Sequence, residues 1–105
     1  MSRVELSDTA LLDLARLYEF LAQYDANTAV DAMDAINVSF ALLEKMPTGC
    51  PFVPGRTDIR KLVIDYGAKG YIAFFEYFPR LDLSVIATIL HQNELYDNAT
   101  IGLQK

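Results

Sequence analysis

The sequence has a single cysteine, no long apolar run and no excess of positive charge. One cysteine cannot form a disulfide within the chain, and Cys50 lies beside a proline in a polar loop, which favours a bystander thiol over a reactive one. The longest apolar stretches have the length of a strand, so no membrane-spanning helix is predicted. Charged side chains precede any apolar run at the N-terminus, unlike a signal peptide. Together these features favour a cytoplasmic protein.

Positive charge is scarce throughout the chain, whose formal net charge is −5. Residues 1–50 carry three cations against eight acids, whereas residues 51–105 carry six of each. A basic stripe is the usual footprint of a nucleic-acid-binding protein, so its absence weighs against direct binding to RNA or DNA. A local group formed by Arg56, Arg60 and Lys61 is predicted to bind a target or hold one phosphate.

The length of 105 residues predicts a single domain that covers residues 1–105. Its first half reads as a short strand at 3–6 followed by two amphipathic helices. Ser7 or Asp8 is a suitable cap for a first helix that ends near Tyr24. The apolar stripe of this helix is expected to consist of Leu11, Leu14, Ala15, Tyr18, Leu21 and Ala22.

A second helix is predicted from Asn27, as its cap, to about Met46, where Pro47 stops it. Its apolar stripe is expected to consist of Val30, Met33, Ile36 (or Asn37), Phe40 and Leu43. Because only residues 25–27 separate the two helices, an antiparallel helical hairpin is expected.

Three strands are predicted after a loop at 47–58 that is rich in proline and glycine. The strands are expected near 59–66, 71–78 and 83–91, with turns at 67–70 and 79–82. Such short turns force neighbouring strands to be antiparallel. The predicted order is β-α-α-β-β-β, which indicates an α+β two-layer sandwich with an antiparallel sheet packed on the helical hairpin.

Several short patterns occur along the chain in a definite order. They are Asp13-Leu14, Ala29-Val30, Met46-Pro47, Gly55-Arg56, Ile59-Arg60-Lys61-Leu62, Gly70-Tyr71 and Ile89-Leu90-His91-Gln92-Asn93-Glu94. Taken together over about residues 3–97, they resemble the ParE/RelE superfamily of toxins from bacterial type II toxin–antitoxin (plasmid stabilisation) systems. The resemblance implies the same fold and a toxin neutralised by a cognate antitoxin. No cofactor is expected.

The departures from this family's ribonuclease members point to a function other than RNA cleavage. Those members cleave messenger RNA on the ribosome, and the resemblance implies two arginines at places that here hold Ile72 and Asn93. Tyr96 does fall on their terminal tyrosine, and Arg60 and Lys61 fall near their second-strand cations. Losing one donor to transition-state charge can cost about 100- to 1,000-fold in rate. ParE-type members lack that catalytic set and poison DNA gyrase, so the pattern favours a ParE-like protein that is not an enzyme.

Each candidate residue also has a structural interpretation. His91 is a candidate general acid or base, but a lone histidine that ends an apolar strand is more often a structural hydrogen bonder. Tyr96 is likewise more often a packed aromatic residue. Arg60 either binds phosphate or pairs with one of three acids, Asp58, Glu76 or Glu94. No metal site is predicted, because no further histidine and no paired cysteine accompany His91.

The favoured interpretation is therefore the toxin component of a type II pair that inhibits a target such as DNA gyrase. Its expected protein partner is an antitoxin that buries apolar surface, and the chain is expected as a homodimer or as part of a toxin–antitoxin hetero-oligomer. Two alternatives stay open. One is a RelE-like ribosome-dependent endoribonuclease that uses Arg60, Lys61, His91 and Tyr96, and the other is a non-toxic binding domain of the same fold.

Overall fold

A computed structural model describes residues 2–92 of the chain. The elements are β1 (Arg3–Leu6), α1 (Asp8–Ala22), α2 (Ala26–Lys45), β2 (Arg60–Ile64), β3 (Tyr71–Phe78) and β4 (Leu83–His91). This order confirms the predicted α+β fold. The expectations about Asn93, Glu94 and Tyr96 concern residues outside the described part of the chain. Neither described helix combines the length and apolar character that a membrane crossing requires.

The four strands form one sheet in the order β1-β4-β3-β2. The pairs β2–β3 and β3–β4 are antiparallel, as their short turns predict. β1 instead pairs in parallel with β4, from Arg3 opposite Leu83 to Leu6 opposite Ile86. The long connection between these two strands permits a parallel pair, so the sheet is mixed rather than wholly antiparallel.

The main core lies between the helical hairpin and one face of the sheet. Its fully buried members include Ile36 and Leu43 of α2, Phe75 of β3, and Ile86 and Ile89 of β4. Burial of such side chains contributes about 1.5–3 kcal/mol each. Because one face of the sheet packs in this core, the opposite face is left for other contacts.

A smaller apolar cluster occupies the sheet face opposite the helical hairpin, which carries no helix from residues 2–92 and is called the helix-free face below. Val53 and Ile59, from the loop before β2, are buried there with Phe74. Ile72 and Leu90 pack against them. The loop therefore covers part of this helix-free face, which matters for the functional site below.

Side-chain oxygens cap both helices. The Ser7 hydroxyl accepts a hydrogen bond from the Ala10 N–H at 3.1 Å and donates to the Ala87 carbonyl at 2.8 Å. The cap of α2 is Asp25, whose carboxylate accepts from the Asn27 N–H at 2.8 Å. The prediction that Asn27 caps α2 is wrong, because the helix begins at Ala26 and Asp25 caps it by accepting from the N–H of Asn27.

α1 is rotated relative to the predicted stripe. Ala10 and Leu17 are its buried residues, whereas Leu11 is 54% and Tyr18 39% exposed. Leu14 and Leu21 pack on the core as predicted. Apolar residues cover more than half the circumference of α1, so periodicity alone could not select the buried face.

The rotation is explained by Asp13, which faces the sheet and binds the edge of β4. Its carboxylate accepts from the Ile89 N–H at 2.9 Å and from the Thr88 hydroxyl. β1 has ended opposite Ile86, so at this height no strand formed by residues 2–92 lies on that side of β4. The Asp13 side chain takes the place of the missing strand and satisfies a backbone donor that would otherwise be buried without a partner.

The N-terminus of β1 is held by a second polar group. The Ser2 hydroxyl and the Tyr77 hydroxyl both donate to the Asp82 carboxylate, which lies in the turn between β3 and β4. These hydrogen bonds, the one from Ser2 first, lower the pKa of Asp82. Asp82 has a φ of 48°, a left-handed conformation that aspartate tolerates better than most residues.

We expect Asp13→Ala to destabilise the protein by about 2–4 kcal/mol, because it leaves the Ile89 N–H and the Thr88 hydroxyl without their acceptor. Urea unfolding followed by circular dichroism measures the change. Asp31→Ala is the matched control, since Asp31 is an exposed acid on α2, and should shift stability by less than about 0.5 kcal/mol. Equal losses in the two variants would show that Asp13 does not anchor α1.

Removing each of the two buried hydroxyls of β4 should have opposite effects on the free energy of unfolding. The Ser84 hydroxyl has no hydrogen-bond partner among residues 2–92, whereas the Thr88 hydroxyl donates to Asp13. Ser84→Ala should leave the free energy of unfolding unchanged or raise it by about 1 kcal/mol, while Thr88→Val should lower it by about 1 kcal/mol. The same unfolding experiment checks both, and a large loss in Ser84→Ala would contradict the assignment.

Candidate functional site

Arg56, the first of the three cations predicted to bind a target, forms an ion pair with the neighbouring Asp58. Its Nε donates to Asp58 Oδ1 at 2.8 Å, and its Nη2 donates to Asp58 Oδ2. This two-point contact matches the planar geometry of both groups. The Arg56 side chain is only 15% exposed, so its charge is largely neutralised inside the loop.

Arg60 is held by the loop that precedes β2. Its Nη1 donates to the Cys50 carbonyl at 2.7 Å and more weakly to the Thr48 carbonyl at 3.4 Å. Its guanidinium carbon lies 4.0 Å from the centre of the Phe52 ring, a cation–π contact. Burial raises the pKa of the Cys50 thiol, and the nearby Arg60 charge only partly opposes this, so the thiol stays protonated at neutral pH.

Lys61 is separated from Arg60 by the pleat of β2. Arg60 lies opposite Phe75 and Lys61 opposite Phe74, and successive residues of a strand project to opposite faces. Lys61 therefore shares the helix-free face with Phe74. Arg60 and Lys61 therefore lie on opposite faces of the sheet.

Ile72 stands where the resemblance implies an arginine, and it belongs to the apolar cluster of the helix-free face. It packs with Leu90 against Val53, Ile59 and Phe74. An isoleucine offers no hydrogen-bond donor, and its neighbours in this cluster are apolar too. This part of the face is suited to packing rather than to binding phosphate.

His91 lies at the opposite end of the sheet from Arg60. It pairs with Tyr71, and the two rings meet edge to face with centres 5.5 Å apart. Tyr71 and Phe75, the partners of His91 and Arg60, are four residues apart on β3, which corresponds to about 13 Å along the strand. The described members of the ribonuclease set therefore do not converge, and Tyr96 lies outside the described residues.

His91 instead lines a cavity of about 820 Å³ between α1 and the turn that joins β2 to β3. Two further basic residues line it, Arg16 from α1 and Lys69 from the turn. Aromatic walls are provided by Phe20, Tyr66 and Tyr71. Among residues 2–92, by contrast, no group of three histidine, cysteine, aspartate or glutamate side chains could hold a metal ion.

Sequence reasoning missed this cavity, although one signal was present. The turn at 67–70 begins and ends with glycine and is flanked by Tyr66 and Tyr71. Gly70 has a φ of 96°, and an added Cβ would lie 2.0 Å from the Ile64 carbonyl oxygen, so no other residue fits. An obligatory glycine between tyrosines indicates a tightly built turn. The contribution of α1 could not be anticipated, because it depends on the rotation that Asp13 imposes.

The fold and the sequence can be compared with known proteins. A chain in the crystal structure of the intact E. coli RelBE toxin–antitoxin complex is similar to this one with a TM-score of 0.63 and 9% identity, covering 90% of this chain and 100% of that chain. At that identity the likeness shows the fold alone. No curated protein sequence matches the chain. A family model described as the ParE toxin of the type II toxin–antitoxin system parDE matches residues 4–96. Because this match spans most of the sequence, the chain belongs to the ParE toxin family of type II toxin–antitoxin systems.

Proposed function

We propose that this toxin-family protein acts by inhibiting a protein target such as DNA gyrase, and that a cognate antitoxin neutralises it in the cytoplasm. The observation that carries the proposal is the apolar cluster around Ile72 on the helix-free face. Ribonuclease chemistry needs cations at that place to hold phosphate and to stabilise developing charge. A face closed by Val53, Ile59 and Leu90 supports a mechanism that depends on protein contacts instead.

The dispersal of the basic residues supports the same interpretation. Arg56 is paired with Asp58, and Arg60 holds loop carbonyls, so both charges already serve the structure. The net charge of −5 also disfavours long-range attraction to the ribosome or to DNA. Arg56, Arg60 and Lys61 remain candidates for target contact, and Lys61 lies on the same face of the sheet as the apolar cluster.

The helical hairpin offers the surface that an antitoxin would cover. Large apolar side chains are exposed along it, among them Leu11, Leu12, Tyr18, Phe20, Val38 and Leu42. Exposed apolar side chains in such number favour a partner that covers them. Because residues 1–50 carry a net charge of −5, a basic amphipathic segment of the antitoxin would complement this surface. A toxin–antitoxin hetero-oligomer is thus the proposed assembly, with a homodimer of this chain as the alternative.

Toxicity is the first test. Induced alone in a bacterium, the chain should arrest growth, and co-expression of a small adjoining open reading frame that encodes the antitoxin should restore it. Colony counts and growth curves measure the effect, with soluble expression confirmed in every culture. Normal growth at confirmed soluble expression would contradict the proposal and favour a non-toxic binding domain.

The second test separates gyrase inhibition from RNA cleavage. We expect purified protein to inhibit supercoiling by gyrase and to leave messenger RNA on translating ribosomes intact, because Ile72 supplies no charge to a phosphate. Supercoiling gels and primer extension measure the two activities. Lys61→Gln and Tyr96→Phe serve as matched variants, because each removes one candidate catalytic group of the ribonuclease alternative while keeping a side chain of similar size.

The ribonuclease alternative makes the opposite prediction for those variants. If wild-type protein cuts ribosome-bound message and the cut disappears in Lys61→Gln, Tyr96→Phe or His91→Gln, the RelE-like activity replaces the proposed one. Arg60→Ala is less informative, because loss of its contacts with Cys50 and Phe52 would disturb the loop in either case.

A further inference from the structure

We propose that the cavity between α1 and the β2–β3 turn is the docking site of a later segment of the same chain, residues 93–105, called the strap below. Leu95 and Tyr96 are the side chains that enter the cavity, and the strap closes it. This assignment goes beyond the proposed function, because neither inhibition of a target nor neutralisation by an antitoxin requires an occupant for this cavity.

The strap begins at the rim of the cavity. His91, the last residue of β4, lines the cavity and lies opposite Tyr71, the first residue of β3, so the ladder between these strands ends here. The Gln92 N–H donates to the Gly70 carbonyl at 3.0 Å, and the Gln92 side-chain amide donates to the Lys69 carbonyl. Both carbonyls belong to the turn beside the cavity, so Gln92 fixes the point from which the strap starts.

The first apolar side chains of the strap are within reach of the cavity. Leu95 and Tyr96 follow Gln92 by three and four residues, which allows a span of about 10–14 Å. The end of β4 packs beside α1, because Asp13 binds the Ile89 N–H. The wall that α1 contributes to the cavity is therefore next to the start of the strap.

The cavity suits apolar side chains. Its volume of about 820 Å³ is within the range of sites that enclose drug-sized molecules, so it has room for two large side chains. Leu17 and Leu21 of α1 form one apolar wall, and Tyr66 and Tyr71 form the other. Phe20 also lines the cavity and is 56% exposed, so a side chain packed on its ring would remove apolar surface from water.

The sequence of the strap matches such a site. Leu95 and Tyr96 are adjacent, and an acid stands on either side of the pair, Glu94 before it and Asp97 after it. The two apolar side chains can therefore enter the cavity while the flanking charges stay in water. Tyrosine suits the mouth of an apolar cavity, because its ring packs on apolar walls while its hydroxyl keeps contact with water.

Covalent attachment favours the strap over any separate occupant. A segment joined to the rim through a few residues has an effective concentration on the order of millimolar at the cavity. A second copy of the chain or another protein would have to compete with that concentration for the same walls. The strap is therefore the occupant that the position of Gln92 favours most.

Disulfide cross-linking of the full chain tests where the strap lies, in a Cys50→Ala background that leaves only introduced thiols. Phe20→Cys combined with Asp97→Cys should form a disulfide under mild oxidation, because Asp97 directly follows the docked pair. Asp65→Cys combined with Asp97→Cys is the matched control, since Asp65 is exposed beside the β2–β3 turn but does not line the cavity. The control pair should cross-link at least about tenfold more slowly, as measured on non-reducing gels.

A neutral apolar dye, N-phenyl-1-naphthylamine, tests whether the strap closes the cavity. The double variant Leu95→Ala/Tyr96→Ala should bind the dye about tenfold more tightly than the unaltered chain does, because its strap no longer fills the site. Ile101→Ala is the matched control and should leave the affinity unchanged. Adding Phe20→Ala to the double variant should remove most of the gain. Fluorescence titration measures the affinities, and circular dichroism confirms that each variant is folded.

Three outcomes would overturn the proposal. One is equal cross-linking of the two cysteine pairs, which would mean that the strap does not prefer the cavity. Another is a dye affinity that does not change when the Leu95 and Tyr96 side chains are removed. The third is dye binding to the unaltered chain that weakens as the protein concentration rises, which would assign the cavity to a second copy of the chain.

Discussion

The arrangement of the molecule depends on the contact between Asp13 and the edge of β4. β1 is only four residues long and stops opposite Ile86, so the next stretch of β4 would expose unpaired backbone beneath a helix. The Asp13 carboxylate binds the Ile89 N–H there, which sets both the height and the rotation of α1. That rotation places Leu17 in the core and brings Phe20 towards the β2–β3 turn. With α1 in this orientation, Leu11 and Tyr18 are exposed and Phe20 lines the cavity.

The sequence predicted most of the fold because its local signals agree with one another. Strands at 71–78 and 83–91 have the predicted bounds, since alternating apolar residues end at unambiguous turns. The sequence carries the family pattern Asp13-Leu14, but the structural role of Asp13 could not be predicted from it, because its partner Thr88 lies 75 residues away. The buried face of α1 was predicted only in part, because apolar residues surround most of this helix and the partner of Asp13 lies far along the chain. The cap of α2 was predicted wrongly, because Asp25 and Asn27 are both suitable caps and local preference does not separate them.

The candidate site was less predictable than the fold, because charged side chains take partners that depend on loop path. Arg60 was expected to bind phosphate or to pair with an acid, yet it binds two carbonyls of the loop that precedes its own strand. Asp58 pairs with Arg56 instead, because it is only two residues away and the turn between them brings the guanidinium and the carboxylate together. By contrast, the division of Arg60 and Lys61 between two faces follows directly from strand alternation and was predictable.

The helix-free face is separate from the contacts that hold the fold together, so its chemistry can vary while the architecture stays the same. The contacts that hold the architecture are the Asp13 anchor, the glycine turn and the apolar core beneath the hairpin, and none of them involves Ile72. With isoleucine at position 72, the loop residues Val53 and Ile59 pack onto the sheet, which buries apolar surface where a phosphate site would need open, charged surface. The side chain at position 72 can either contact a phosphate or pack against apolar neighbours, and these two uses of the face exclude each other. For this reason Ile72 on β3 is more informative about the mechanism than the similarity of the whole fold is.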